Sequence, residues 1–225
     1  LAAAGHANRA AALLREALPE LPDADRRGAL LEMGELFMLA KNPAAARDLF
    51  AAARKELADE GEQAAALGEA EAALLTGDHE RALAAATAAG SGPAELRARS
   101  ARAAAKALLF LGRPKEAARV LERVAENVDE ADARELLSMA ARVQRSELRD
   151  PNAARWLYEK LFDLDPEHPG AREGLVEVLE ESGDRAELAE ALVRLADTAD
   201  DPAAELKRAA DFFSAEGLHA QAADA

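Results

Sequence analysis

Two short runs of basic residues stand out in a chain that is otherwise acidic, with 43 Asp and Glu against 28 Lys and Arg. Arg99, Arg102 and Lys106 are spaced i, i+3 and i+7, and Arg142 and Arg145 begin the same spacing further along. On an α-helix this spacing places the side chains on one face. Such arginines could hold the carboxylates of an acidic peptide or of a chain terminus through paired hydrogen bonds. They could equally pair with acids of a neighbouring segment, so both interpretations stay open here.

Residues that would support catalysis or metal binding are sparse. The chain has no cysteine, and its four histidines lie far apart, at His6, His79, His168 and His219. His79-Glu80 begins as a zinc-protease motif does, but Leu83 stands where the second histidine belongs. We interpret the histidines as turn, linker or capping residues. We predict no catalytic residue, no cofactor and no metal site, and therefore a protein that is not an enzyme.

The elements that must position these charges are predicted to be helices. Among 225 residues there are 61 Ala and 33 Leu, against 7 Val, 3 Thr and no Ile. Ala and Leu are strong helix formers, whereas sheets need β-branched and aromatic residues. The composition therefore predicts an all-α protein.

The net charge of -15 limits the partners. A polyanion repels nucleic-acid phosphates and anionic membranes, and no apolar run is long enough to span a bilayer. We predict no nucleic-acid partner and no membrane insertion, and we favour a cytoplasmic location while the compartment stays open. The chain begins without Met and stops inside a helical pattern, so we expect it to be a fragment of a longer chain.

Turn-forming sequences recur at nearly even spacing. They contain Gly or Pro, which end one helix and begin the next. The turns begin at Gly5, Lys41, Gly77, Gly112, Arg149, Gly183 and Gly217, at intervals of 34 to 37 residues. Apolar residues at i, i+4 and i+7 after each turn indicate a helix, as do the stripes before each turn.

Each unit is therefore predicted as a helix, a tight turn and a second helix. First helices are predicted at about 24–40, 61–76, 93–111, 130–148, 168–182 and 202–216. Second helices are predicted at about 6–18, 43–58, 79–89, 114–127, 151–164, 184–197 and from 218 onward.

The period and the turn residues resemble the tetratricopeptide-repeat (TPR) family, whose repeat is about 34 residues long. In the clearest unit the family's small, aromatic, aliphatic and proline positions are filled by Ala154, Tyr158, Leu161 and Pro166. Met33-Gly34 matches the family's Leu-Gly pair. The match is degenerate, because the family's Trp is absent from the first helices and its glycine is mostly Ala here.

The resemblance implies a right-handed α-solenoid of about six to seven stacked helix-turn-helix repeats in one domain, 1–225. The boundaries would be a half repeat at 1–22 and repeats at about 23–60, 61–92, 93–128, 129–167, 168–200 and 201–225. It also implies that ligands contact the first helices on a concave face. The corresponding positions are Leu31, Glu35, Met38, Leu67, Glu71, Leu74, Arg99, Arg102, Lys106, Leu109, Ser138, Arg142, Arg145, Glu173, Glu177, Glu180, Lys207, Asp211 and Ser214.

The function expected from this resemblance is a non-catalytic scaffold that binds a peptide or protein partner, an acidic one if the basic runs take part. The candidate peptide-binding residues are Arg99, Arg102, Lys106, Arg142 and Arg145. Two alternatives stay open. One is an enzyme domain of the α/α-toroid type, and the other is a self-associating structural rod of a large repeat protein, with weak self-association.

Overall fold

The chain forms helices joined by short turns in a computed structural model that describes residues 2–183, 185–196 and 201–224. Every regular element in these ranges is helical, which confirms the predicted fold class. The α-helices are α1 (Ala2–Ala17), α2 (Asp23–Leu39), α3 (Pro43–Glu56), α4 (Asp59–Thr76), α5 (His79–Ala89), α6 (Ala94–Phe110), α7 (Pro114–Ala125), α8 (Glu130–Ser146), α9 (Pro151–Leu164), α10 (Pro169–Ser182), α11 (Arg185–Leu195), α12 (Pro202–Ala215) and α13 (His219–Asp224). A 3-10 turn at Leu18–Glu20 follows α1.

The predicted turn at Gly5-His6 is wrong. Helix α1 begins at Ala2 and continues through both residues to Ala17, so His6 lies in a helix and not in a turn. A glycine inside a helix costs only about 1 kcal/mol relative to alanine, which the surrounding alanines tolerate. Where the structure describes them, the other predicted helix ends agree to within two residues.

The chain divides into two compact units, Leu1–Asp129 and Glu130–Ala225, which we call unit 1 and unit 2. The division falls next to the predicted repeat boundary at 128/129. The single solenoid over the whole chain and the individual repeat boundaries stay predictions.

In unit 1 the first helices α2, α4 and α6 contact one another in chain order. The second helix α3 packs against α2 and α4, α5 packs against α4 and α6, and α7 packs against α6. Helix α1 packs on α2 as a half hairpin. Each hairpin therefore buries its apolar stripe partly against the next one, as in other helical repeat proteins.

Unit 2 repeats this arrangement. Helix α9 packs against α8 and α10, α11 packs against α10 and α12, and α13 packs on α12. The first helices α8 and α10 are also in contact.

Each of the six remaining predicted turns contains a residue with a left-handed backbone conformation. Four are glycines, with φ between 70° and 77°, and two are Lys41 and Arg149, with φ of 59° and 55°. The next helix is then capped in several repeats: Asn42, Asp78 and Asp150 accept hydrogen bonds from the backbone N–H three residues on. This combination reverses the chain within three residues and sets the hairpin geometry.

Close approach of helices depends on glycine at a few positions. The ring of Phe50, on α3, lies so near Gly34 on α2 and Gly68 on α4 that an added Cβ would stand 2.6 Å and 2.7 Å from its Cε1. In unit 2 the ring of Tyr158 lies even closer to Gly174. The aromatic side chain of the second helix thus fills the gap between successive first helices.

Candidate functional site

The two basic runs lie on first helices, one in each unit. Arg99, Arg102 and Lys106 are on α6 of unit 1, whereas Arg142 and Arg145 are on α8 of unit 2. The structure therefore brings together the first three residues and, separately, the last two.

In unit 1 the basic run faces an acid of the preceding hairpin. Arg99 Nη2 donates to both carboxylate oxygens of Glu71, on α4, at 2.8 and 3.1 Å. Arg102 is half-buried and Lys106 is exposed. This neighbour pairing was one of the two interpretations that the sequence left open.

A groove of about 400 Å³ lies on the first-helix face of unit 1. It is lined by Leu31, Glu35, Met38 and Leu39 of α2, Phe50 of α3, Ala64, Leu67, Gly68 and Glu71 of α4, and Leu96 and Arg99 of α6. Six of these residues are among the ligand-contact positions that the TPR resemblance implies. The groove is mainly apolar, and Glu35, Glu71 and Arg99 place charges around it.

Sequence reasoning missed part of this lining. Leu39 follows Glu35 by four residues and so shares its face, a signal that was available in the spacing. Phe50 belongs to a second helix and reaches the groove only because Gly34 and Gly68 leave room for its ring. That contact joins three helices, and no periodicity within one helix could reveal it.

In unit 2 the basic residues lie against a run of acids on α10. Arg145 donates to Glu177 and to Glu181, the latter at 3.2 Å. Burial alone would lower the pKa of Arg145, but the hydrogen bonds and charges of the two glutamates outweigh it and raise this pKa. Arg145 is therefore a firmly held cation.

A smaller cavity, of about 260 Å³, lies beside this ion pair. It is lined by Ser138, Arg142, Arg145, Tyr158, Gly170, Glu173, Gly174 and Glu177. Burial raises the pKa of the Tyr158 phenol, and the positive charge of Arg145 opposes the shift. The lining is polar and carries both signs of charge, in contrast to the apolar groove of unit 1.

Further ion pairs link neighbouring first helices of unit 2. Arg172 of α10 donates to Glu205 of α12 at 2.8 Å, and Arg208 of α12 donates to Glu180 of α10. Together with Arg145, these arginines engage acids from one hairpin to the next. The more exposed of these pairs contribute about 0–1 kcal/mol each, whereas Arg172 and Glu205 are only 23% and 22% exposed, so solvent screens that pair less.

One acid of unit 1 is buried and has two arginine partners. Glu69 is 5% exposed, and its carboxylate accepts from Arg54 of α3 at 2.7 Å and from Arg81 of α5 at 2.6 Å. The pair of arginines neutralises a carboxylate surrounded by buried alanines and connects three helices. The sequence carried a weak signal for it, an acid inside an alanine stripe.

Two of the histidines, His79 and His168, make structural contacts. His168 caps α10, since its Nδ1 accepts from the backbone N–H of Ala171 at 3.2 Å. The ring of His79 stacks on Phe110 with centroids 4.3 Å apart. Over the residues that the structure describes, no group of three or more His, Asp or Glu could hold a metal ion. Nor is any helix in these ranges long and apolar enough to cross a membrane.

Stacked helical hairpins with an apolar groove across the first helices define a helical repeat protein. Its fold is that of TPR proteins, as comparison with solved structures shows. A TPR protein from Parabacteroides merdae matches with a TM-score of 0.61 and 20% identity, over 88% of this chain and 76% of that one. YrrB, a TPR protein with an unusual peptide-binding site, matches with a TM-score of 0.56 and 16% identity, over 94% of this chain and 98% of that one.

A larger assembly contains a similar segment. In the structure of Naa15/Naa10 bound to HypK-THB, the match has a TM-score of 0.58 and 19% identity, and it covers 96% of this chain but 33% of the other. No protein-family model matches the sequence, and no curated protein matches it either. At these identities the likeness defines the fold, and the function must be argued from the groove.

Proposed function

We propose that this protein is a non-catalytic scaffold and that the groove of unit 1 binds a segment of a partner protein. The observation that carries the proposal is the groove itself, about 400 Å³ of mainly apolar lining with three charged side chains. Peptide sites combine an apolar pocket for an anchor side chain with a few charges that fix orientation. The similarity to YrrB supports a peptide ligand as well.

The charges favour a peptide that carries an acid next to its apolar anchor. Glu35 lies on the α2 side of the groove, whereas Arg99, Arg102 and Lys106 lie together on α6. Arg99 and Glu71 are 51% and 36% exposed, so their pair contributes only about 0–1 kcal/mol and can exchange for a ligand carboxylate at little cost. An anchor in the groove and a carboxylate at α6 would therefore bind together.

The basic residues of unit 2 are weaker candidates in this scheme. Arg145 is held by two acids and is 26% exposed, so a peptide carboxylate would have to displace Glu177 and Glu181. Arg142 is exposed and lines the smaller cavity. We keep both residues as candidate contacts for a second acidic segment of the same partner.

A peptide array tests the proposal. The array carries immobilised peptides with one Leu or Phe anchor, flanked by Glu, by Lys or by Ser. It is incubated with the full chain at about 1 µM, and the retained protein is measured. We expect retention on Leu–Glu and Phe–Glu peptides and little on the Lys series. Met38→Glu should lower this binding at least about tenfold, because it places a charge in the apolar lining.

Two matched variants control for charge. Leu164→Glu adds the same charge at an exposed apolar residue of unit 2 and should leave binding unchanged. Lys106→Glu should weaken binding of the acidic peptides specifically, whereas Lys115→Glu, on the exposed surface of α7, should not. Binding that is equal in the wild type and Met38→Glu, or the absence of binding to any peptide, would overturn the proposal.

A further inference from the structure

Three large apolar side chains of unit 1 are exposed at equivalent positions of successive first helices. Leu39, Leu75 and Phe110 are 69%, 68% and 71% exposed, and each stands two residues before the left-handed residue of its turn. Because α2, α4 and α6 lie side by side, these side chains form a line across unit 1, which we call the apolar row.

The repeat fold does not require apolar residues there. The equivalent positions in unit 2, two residues before Arg149, Gly183 and Gly217, are Glu147, Glu181 and Ala215. Those helices end in the same kind of turn with an acid or a small residue. The apolar row is therefore a surface feature of unit 1, and its exposure calls for a partner.

A charged residue precedes each member of the row by one helical turn. These residues are Glu35, Glu71 and Lys106, and Arg99 neutralises the middle one. Within the described part of the chain, neither Glu35 nor Lys106 has an ion-pair partner. Along the row the charge thus runs from negative at α2, through neutral at α4, to positive at α6.

This pattern is complementary to itself when one copy is turned by a two-fold rotation. Leu75 then meets Leu75 of the second copy, and Leu39 meets Phe110 of the second copy. Glu35 meets Lys106 of the second copy, and the reciprocal pair forms at the other end. Such reciprocal contact is the defining property of a two-fold interface.

The groove beside Leu39 provides a place for the aromatic ring. Phe110 projects from the far end of the row, and its ring is held by a stack on His79 with an interplanar angle of 3°. A ring that is already fixed loses little freedom on binding. The same two-fold rotation would place each Phe110 at the groove of the other copy.

We propose that the apolar row of unit 1 is a self-association surface, through which two copies of this chain form a two-fold dimer. The row is smaller than the roughly 800 Å² per partner of a standard stable interface, so the dimer is weak and forms at tens of micromolar or above. The proposal is separate from peptide binding, although a peptide in the groove would compete with the second copy.

Sedimentation velocity of the full chain from about 5 µM to about 500 µM tests this inference. Salt at about 0.15 M screens the repulsion between chains of charge -15. We expect the wild type to shift from monomer to dimer over this range. Leu75→Glu, which copies the residue type of the equivalent positions in unit 2, should raise the dissociation constant at least about tenfold, because two carboxylates then meet at the two-fold axis.

Charge reversal makes the test specific for the two-fold arrangement. Glu35→Lys and Lys106→Glu should each weaken the dimer at least about tenfold, since each brings like charges together twice. An equimolar mixture of the two variants should regain wild-type association, because both pairs are then Lys with Glu. Glu32→Lys, an exposed acid on the same helix, is the matched control and should leave association unchanged.

The outcomes separate cleanly. A wild type that stays monomeric overturns the proposal and leaves the row to a different protein. A dimer that is insensitive to these variants, or a mixture that stays monomeric, overturns the proposed surface. The peptide array is run at a concentration below that of the dimer, so its result stands independently of this one.

Discussion

At the residue scale, the ring of Phe50 joins two hairpins of unit 1 by lying against two glycines. An added Cβ at Gly34 would stand 2.6 Å from the ring, whereas an added Cβ at Gly28 of the same helix has nothing within 4 Å. The TPR resemblance pointed to Gly34 through the pair Met33-Gly34. The second contact carries the same signal, since Gly68 stands in the pair Leu67-Gly68, 34 residues further along, which the sequence prediction did not single out.

Gly34 and Gly28, which lie on the same helix, give a matched test of packing. We expect Gly34→Ala to destabilise unit 1 by about 1–2 kcal/mol, because the overpacking penalty exceeds the gain in helix propensity. Gly28→Ala should stabilise it by up to about 1 kcal/mol, because only the propensity changes. Urea unfolding followed by circular dichroism measures both, and equal effects of the two substitutions would contradict the close packing on Phe50.

The ion pairs mark the limit of sequence reasoning at this scale. Spacing placed Arg99 and Arg145 on the faces of first helices, and the structure places both there. Spacing could not choose between Glu71, Glu177 or a ligand as partner, since that choice depends on the rotation of one hairpin against the next. Glu69 illustrates the same limit, because its two arginines come from different helices.

At the element scale, the helices were largely predictable because the turns have strong local chemistry. Gly or Pro appears in every turn, and alanine and leucine fill the segments between them. The failure at Gly5-His6 shows the limit of this chemistry, since Gly217, which is likewise not followed by Asn, Asp or Pro, adopts a left-handed backbone after α12, whereas Gly5 lies inside α1. A left-handed residue follows each of the first helices, and in several repeats a side-chain cap then begins the next one.

Two turns use a residue that is strained in this conformation. Lys41 and Arg149 have φ of 59° and 55°, where a side chain costs roughly 1–2 kcal/mol relative to glycine. A glycine at either position would remove this strain, but part of the stability gained is lost because glycine has more conformational freedom in the unfolded chain. We therefore expect Lys41→Gly and Arg149→Gly each to stabilise their unit by about 0.5–1 kcal/mol.

The reverse substitution is the control. Gly77→Ala, at φ of 77° in the equivalent turn, should destabilise unit 1 by about 1 kcal/mol, although nothing lies within 4 Å of its added Cβ. The three variants are compared by the urea concentration at the midpoint of unfolding, provided that the dependence of the unfolding free energy on urea concentration is the same in each. A loss of stability in both Gly variants would show that the lysine and arginine side chains hold these turns by other contacts.

At the scale of the whole molecule, the division at Asp129 and Glu130 predicts how the chain unfolds. In a repeat protein, cooperativity passes through the interface between neighbours, and the transition separates where that interface is weak. Trp156, the single tryptophan, lies on α9 of unit 2, so its fluorescence reports on that unit, whereas circular dichroism at 222 nm reports on all helices.

We therefore expect two unfolding transitions in urea. Gly34→Ala should shift the transition of unit 1, seen by circular dichroism, and leave the tryptophan midpoint where it is. Arg149→Gly should move the tryptophan midpoint and leave the other transition unchanged. If both probes instead follow one curve, and both variants shift it together, then the two units unfold as one cooperative system, as expected for the single solenoid that the sequence predicts.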